Sequence, residues 1–116
     1  MFKRLFGETR TATPTATRDV DVREARVLQQ QGARLIDVRE PGEFATAHAT
    51  GARNIPLGQL AARSSELAGA ETVLVICQSG NRSKTAQRQL AARNVADVRN
   101  VSGGTTAWRA AGLPLE

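Results

Sequence analysis

The sequence has a single cysteine, Cys77, and a single histidine, His48. One cysteine excludes a disulfide within the chain and any metal site built from several thiolates. One histidine, with no cysteine near it in the sequence, disfavours a zinc or haem site. We therefore expect no metal and no other cofactor, and a chemistry that depends on the side chains of the chain itself.

Aromatic residues are also scarce, with no tyrosine, three phenylalanines and one tryptophan. Proteins that bind single-stranded nucleic acids stack the bases on such rings. The formal net charge is +5, but residues 1–18 hold four basic side chains against one acidic, and the remaining chain holds twelve basic against ten acidic. Because the body of the chain is nearly balanced in charge, we expect no nucleic-acid partner.

Long apolar runs are missing as well: none approaches the length of a membrane span, and the first residues lack the apolar core of a secretory signal. We expect a cytoplasmic protein without a membrane span. Hydrophobic residues make up 41% of the 116 residues, which suits one globular domain. We predict a flexible basic tail at residues 1–18 and a domain at residues 19–116.

Apolar segments typical of strands alternate with helical patterns along the predicted domain. Extended segments are expected near Asp19 and Val20, and at 35–39, 53–55, 72–76 and 98–101. Helices are expected at 22–31, 57–67, 83–93 and 105–111, with a short helical turn after Pro41. This alternation is typical of an α/β fold, a small parallel sheet with helices on both faces.

Cys77 directly follows the uninterrupted apolar segment 72–76 and opens a glycine-containing loop that leads into a helix. Such a strand is buried on both faces, and parallel sheets bind their ligands beyond the carboxyl ends of the strands. Unpaired N–H groups at a helix start stabilise an anion, which favours the reactive thiolate of Cys77. A buried core cysteine is the alternative. The interpretation of Cys77 as a nucleophile is favoured by three residues at their positions after it in the loop, Gly80, Arg82 and Ser83.

Three stretches carry motifs that occur together in one known family. They are residues 35–40 with 43–44, 48 and 51–56; the loop 77–83; and residues 103–108 with 112–114. In this order and at this spacing they resemble the first signature, the active-site loop and the C-terminal signature of single-domain rhodaneses. The resemblance covers nearly all of residues 19–116 and implies the rhodanese-like α/β fold.

The resemblance also implies a sulfurtransferase in which Cys77 is the catalytic nucleophile. In this family the cysteine takes a sulfane sulfur from a donor such as thiosulfate, becomes a persulfide, and passes the sulfur to cyanide or a thiol. The implied partners are a small sulfur donor, thiosulfate or a persulfide, and a thiol or cyanide acceptor; a protein could take either role. The backbone amides of the loop would hold the charged sulfur, and its members are Gln78, Ser79, Gly80, Asn81, Arg82 and Ser83.

Charged residues near the loop are expected to support it. Asp37, Arg39 and Glu43 belong to the first signature, and a carboxylate and an arginine at a buried strand end usually satisfy each other or nearby amides. Arg82 would either stabilise the anion in the loop or turn back to pair with a carboxylate. Ser83 could donate a hydrogen bond to the sulfur and could equally cap the following helix.

Three other functions fit the sequence less well. Cysteine phosphatases and their arsenate-reducing relatives have five residues between the cysteine and the arginine, whereas Cys77 and Arg82 are separated by four. A cysteine protease would need His48 as its base, but the resemblance places His48 in a structural turn away from the loop. A catalytically idle binding module would have no need of a reactive thiolate.

Gln78 departs from the family pattern, because many members that use thiosulfate have Arg or Lys at this position of the loop. A neutral side chain attracts the thiosulfate dianion less than a cation does. We therefore expect weak turnover of thiosulfate, and a working donor that is a persulfide on a small thiol or on another protein.

Overall fold

The computed structural model describes residues 16–116, and strands and helices alternate along this range. Its strands are β1 (Ala16–Val20), β2 (Arg34–Asp37), β3 (Arg53–Asn54), β4 (Val73–Ile76) and β5 (Asp97–Val101). Its helices are α1 (Val22–Gln30), α2 (Pro41–Thr46), α3 (Leu57–Leu60), α4 (Asn81–Ala91) and α5 (Gly104–Ala110), and a 3₁₀ turn spans Ser64–Leu67.

The strands form one parallel sheet in the order β1-β5-β4-β2-β3, with β4 at its centre. All four residues of β4 are buried, because successive side chains point to opposite faces and both faces are covered. Val73 and Val75 join one hydrophobic core with Leu60 and Leu90, whereas Leu74 and Ile76 join a second core, which includes Trp108. The predicted α/β fold with helices on both faces is confirmed.

The segment expected to form one helix at 57–67 is divided in two. Its first part is α3, and its second part is the 3₁₀ turn. The Ser64 hydroxyl donates to the carbonyl oxygen of Ala61, a local bond that competes with helical hydrogen bonding. Leu60 and Leu67 are nevertheless both buried in the same core. The spacing of Leu60 and Leu67 therefore indicated their burial correctly, whereas the prediction of one continuous helix was wrong.

The first strand begins earlier than expected. Residues 16–18, predicted to be the end of a flexible tail, belong to β1, which pairs with β5 from Ala16 opposite Asp97 to Val20 opposite Val101. Backbone pairing along the whole of β5 outweighs the polar composition of this segment. The rest of the predicted tail, residues 1–15, lies outside the described residues.

No helix within residues 16–116 is long and apolar enough to cross a membrane. The cytoplasmic location expected from the sequence stays a prediction.

Candidate active site

The loop between β4 and α4 folds around the sulfur of Cys77. The Gly80 amide donates to Sγ at 3.1 Å, and the Ser83 hydroxyl oxygen lies 3.4 Å from Sγ. Gly80 has φ +106° and is the last residue before α4, whose helical residues begin at Asn81. This left-handed conformation, which favours glycine, turns the chain sharply enough to aim backbone donors at the cysteine.

These donors change the ionisation of Cys77. Burial of the side chain raises the pKa of the thiol, because a charged sulfur loses hydration. Hydrogen bonds from the Ser83 hydroxyl and from the amides of Ser83, Gly80 and Ser79 act in the opposite direction and hold the pKa below its ordinary value. The loop therefore favours the nucleophilic form of the cysteine.

Ser83 does not cap the helix, as one reading of the sequence allowed. The capping position belongs to Gly80, and Ser83 is buried in the first turn of α4. Its hydroxyl lies between Sγ and the side chain of Asn100, and it donates to the Asn100 Oδ1 atom at 2.5 Å. Asn100 is 1% exposed and was missed by sequence reasoning. The available signal was a polar residue on the same face of the predicted strand 98–101 as the apolar Val98.

The guanidinium of Arg82 faces a carboxylate rather than the sulfur. Its two terminal nitrogens donate to the two carboxylate oxygens of Glu43 at 2.7 and 3.0 Å. The hydrogen bond from Arg82 and a second from the Glu40 amide lower the pKa of Glu43 to about 2. Arg82 and Glu43 therefore join α4 to α2, and the sulfur is contacted instead by backbone amides and by the Ser83 hydroxyl. Asn81, the neighbour of Arg82, is exposed at the start of α4.

Asp37 and Arg39 form a buried ion pair beside the loop. Arg39 Nε lies 3.0 Å from Asp37 Oδ1, and Arg39 Nη2 lies 2.8 Å from Asp37 Oδ2. The remaining terminal nitrogen, Nη1, donates to Gln78 Oε1 at 3.1 Å. Gln78 in turn donates through Nε2 to the Thr106 hydroxyl at 2.9 Å. The Asp37–Arg39 pair thus positions Gln78, the residue that follows Cys77. Gln78 in turn connects the pair to α5.

The first turn of α5 packs against the backbone of Cys77. The amide and the hydroxyl of Thr105 both donate to the Cys77 carbonyl oxygen, at 2.8 and 3.1 Å. Gly104 has φ +58°, and a Cβ there would lie 2.4 Å from the same carbonyl oxygen. Gly104 therefore allows α5 to approach the loop closely, whereas a Cβ at Gly103 would meet the side chain of Ala107 within α5 at 2.6 Å.

His48 belongs to a different part of the molecule. Its ring stacks on Phe44 with 3.6 Å between the ring centres, and Nδ1 lies 2.8 Å from the Phe44 carbonyl oxygen. Its Nε2 lies 3.5 Å from a carboxylate oxygen of Glu116. These contacts agree with the structural turn that the sequence predicted, and they give no support to a base for Cys77.

The sheet and the loop together define the class of protein: a small α/β domain with a parallel sheet. In this class one cysteine follows the central strand and is surrounded by hydrogen-bond donors. The chain belongs to the rhodanese-like domain family, whose model matches residues 21–111. The family resemblance predicted from the motifs is thereby confirmed.

Relatives and solved structures agree with this assignment. The chain is 42% identical over 89 residues to the uncharacterized protein slr1261 of Synechocystis sp., covering 77% of this chain and 50% of that protein. It thus spans half the length of that relative. It is 37% identical over 110 residues to thiosulfate sulfurtransferase 18 of Arabidopsis thaliana, covering 83% of this chain and 81% of that protein. The crystal structure of a rhodanese-related protein from Thermoplasma volcanium matches with a TM-score of 0.76 at 28% identity, covering 85% of this chain and 97% of that one.

Proposed function

We propose that this chain is a sulfurtransferase that carries a sulfane sulfur as a persulfide on Cys77. The observation that carries the proposal is the ring of N–H and O–H donors around Sγ, which lowers the pKa of the thiol. Membership of the rhodanese-like family and similarity to proteins named thiosulfate sulfurtransferase support the same chemistry.

In the first half-reaction the Cys77 thiolate attacks the outer sulfur of the donor. With thiosulfate, a bond forms between Sγ and that sulfur, and the bond to the sulfonate sulfur breaks. Its electron pair leaves with sulfite, and the negative charge stays on the terminal sulfur of the persulfide. The amides of Ser79, Gly80 and Ser83, which hydrogen-bond to Sγ, would stabilise that charge.

In the second half-reaction an acceptor attacks the terminal sulfur of the persulfide. With cyanide, a carbon–sulfur bond forms, the bond between Sγ and the terminal sulfur breaks, and Cys77 returns to its thiolate as thiocyanate leaves. The two half-reactions share an enzyme-bound intermediate and give double-displacement kinetics. The transferred sulfur keeps its oxidation state through both half-reactions. The cycle therefore requires no external oxidant or reductant.

Phosphatase chemistry receives less support from the same loop. Phosphate transfer needs a cation directed at the oxygens of the transferred group. Arg82 is instead bound to Glu43 through both terminal nitrogens.

We further propose that thiosulfate is a poor donor and that a persulfide is the working one, because Gln78 is neutral. Gln78→Arg should lower the KM for thiosulfate by about fivefold, the effect of one favourable charge at an exposed site. The near-isosteric Gln78→Glu should raise it, and steady-state kinetics on the three proteins measure both changes. Efficient use of thiosulfate by the wild type, with no gain in Gln78→Arg, would contradict this part of the proposal.

The proposed function is tested by intact-protein mass spectrometry after incubation with excess thiosulfate, and in parallel with a small-molecule persulfide. The wild type should gain the mass of one sulfur atom and lose it when cyanide is added. Cys77→Ser, which keeps the size of the side chain but not its sulfur, should gain nothing. If neither donor loads the wild type, the chain is not a sulfurtransferase, and a binding role becomes the better reading.

A further inference from the structure

An open cleft of about 270 Å³ lies beside the loop, between α2 and α5. Gln78, the residue after Cys77, lines the cleft together with Glu43 and Thr46 from α2 and Thr105 and Arg109 from α5. Because Gln78 follows the cysteine directly, a small molecule whose sulfur reaches Cys77 would extend its other end into this cleft. The volume lies just below the usual range for ligand sites, which suits a small substrate.

The charges around the cleft leave one positive charge without a partner. Arg39, which also lines the cleft, is neutralised by Asp37. Glu43 is neutralised by Arg82. Within residues 16–116, no hydrogen bond or ion pair holds the exposed guanidinium of Arg109, although it lies in the same cleft. The cleft therefore has the charge that complements a monoanion.

The other polar side chains of the cleft are already bonded within the protein. Gln78 accepts from Arg39 and donates to Thr106, the Thr46 hydroxyl donates to the Gly42 carbonyl oxygen, and the Thr105 hydroxyl donates to Cys77. Among the charged side chains of this cleft in the described part of the chain, Arg109 is the one whose donors are all left for a ligand. A guanidinium pairs best with a planar carboxylate, which accepts two parallel hydrogen bonds.

We propose that Arg109 is a specificity-determining residue that binds the carboxylate of a small thiol acceptor. This inference rests on the proposed function. The acceptor's thiolate attacks the terminal sulfur of the Cys77 persulfide, and the bond between Sγ and that sulfur breaks. The electron pair of that bond returns to Sγ as thiolate, and the terminal sulfur leaves with its negative charge as the persulfide anion of the acceptor. The carboxylate takes no part in bond breaking, and its contact with Arg109 holds the acceptor in the cleft.

The test compares two acceptors of equal chain length on the persulfide-loaded full chain: 3-mercaptopropionate and its neutral counterpart 3-mercapto-1-propanol. Rates are corrected for the thiolate fraction of each acceptor. We expect the wild type to show a KM about fivefold lower for the carboxylate than for the alcohol, and Arg109→Gln to raise the KM of the carboxylate to that of the alcohol. Added salt should weaken the preference, because an exposed pair is screened.

Arg88→Gln is the matched control, since it also removes an exposed arginine but on α4, where Arg88 bonds to Thr85. It should keep the preference for the carboxylate. Arg109 lies in the last turn of α5, where a cation also interacts favourably with the helix dipole, so a change in stability alone would not support the proposal.

Each outcome has a distinct meaning. If the chain cannot be loaded or cannot pass sulfur to the alcohol, the proposed function fails and this inference fails with it. If it transfers sulfur to the alcohol but shows no preference for the carboxylate, the function stands and the inference is wrong. A preference that survives in Arg109→Gln would also overturn the inference.

Discussion

At the scale of single residues, the ionisation of Cys77 depends on one proton of Ser83. The Ser83 hydroxyl carries a single proton and faces two acceptors, the side-chain oxygen Oδ1 of Asn100 and the sulfur. When the sulfur is a thiol, the thiol can donate to Ser83 while Ser83 donates to Asn100. When the sulfur is a thiolate, the Ser83 proton must turn toward it to stabilise the charge. The buried amide of Asn100 thus competes with the sulfur for this donor.

Removing the Ser83 hydroxyl should make Cys77 less reactive at neutral pH. The hydrogen bond from this hydroxyl lowers the pKa of the thiol, so Ser83→Ala should raise that pKa and reduce the thiolate fraction. We expect alkylation by iodoacetamide at pH 7 to slow by roughly tenfold, the effect of one hydrogen bond to a charged group. The pH profile of the alkylation rate measures it.

Ser65→Ala is the control for this prediction, because Ser65 is exposed in the 3₁₀ turn. Its pH profile should match that of the wild type. An unchanged profile in Ser83→Ala would mean that the backbone amides alone determine the ionisation of Cys77.

At the scale of secondary-structure elements, the loop is shaped by α5 as much as by its own residues. Thr105 binds the Cys77 carbonyl oxygen twice, and the Thr106 amide donates to the Gln78 carbonyl oxygen at 3.1 Å. Such an approach of one backbone to another requires Gly104, which has no side chain to separate them. The start of α5 therefore holds the first two residues of the loop in place.

Two glycine substitutions separate this packing from backbone strain. Gly104 and Gly112 both have positive φ, but a Cβ at Gly112 would meet no atom within 4 Å. Gly112→Ala should lower the free energy of unfolding by about 1 kcal/mol through strain alone. Gly104→Ala should cost a further 1–3 kcal/mol through overpacking, and it should impair sulfur loading. Denaturant unfolding and mass spectrometry measure these effects; equal losses of stability would show that close packing at Gly104 is not required.

The secondary-structure elements also show how much of the fold and of the site could be predicted from the sequence. The order and type of the elements followed from alternating apolar patterns, and the position of Cys77 followed from an apolar strand before a glycine-containing loop. The Arg82–Glu43 pair, one of two readings for Arg82, depends on where α2 lies relative to α4. Asn100 and Thr105 could not be placed at the site, because they come from β5 and α5, and only the strand order brings them to Cys77.

At the scale of the whole molecule, ion pairs connect parts of the chain that are distant in sequence. Arg82 on α4 binds Glu43 on α2 across 39 positions of the chain, and the buried pair of Arg39 and Asp37 reaches Gln78. The active-site loop is therefore attached to the β2–α2 segment on one side and to α5 on the other. Its shape depends on the whole domain being folded.

The Arg82–Glu43 pair should make the domain sensitive to acid. The pKa of Glu43 is about 2 in the folded protein against 4.5 as its ordinary value, so the folded state binds this proton less readily. The pair's contribution to stability is therefore present above about pH 4.5 and is lost as the pH falls toward 2. Because the pair is partly exposed, we expect it to contribute less than about 1 kcal/mol.

Glu43→Gln tests this contribution through the pH dependence of the free energy of unfolding. The variant should be less stable than the wild type near neutral pH, and the two curves should converge as the pH falls from 4.5 to 2. Glu71→Gln, which removes an exposed carboxylate before β4, is the control for the loss of one negative charge. A constant difference between the wild type and Glu43→Gln down to pH 2 would contradict the assigned cause.

The position of Trp108 gives the molecule an internal optical probe. It is the one tryptophan of a chain without tyrosine, it is fully buried, and its indole nitrogen donates to the Pro114 carbonyl oxygen at 2.8 Å. It lies on α5, the helix whose first turn binds the backbone of Cys77 and Gln78. The intrinsic fluorescence of the chain above 295 nm therefore comes from one chromophore, whose emission responds without any label to movements that the loop transmits through α5.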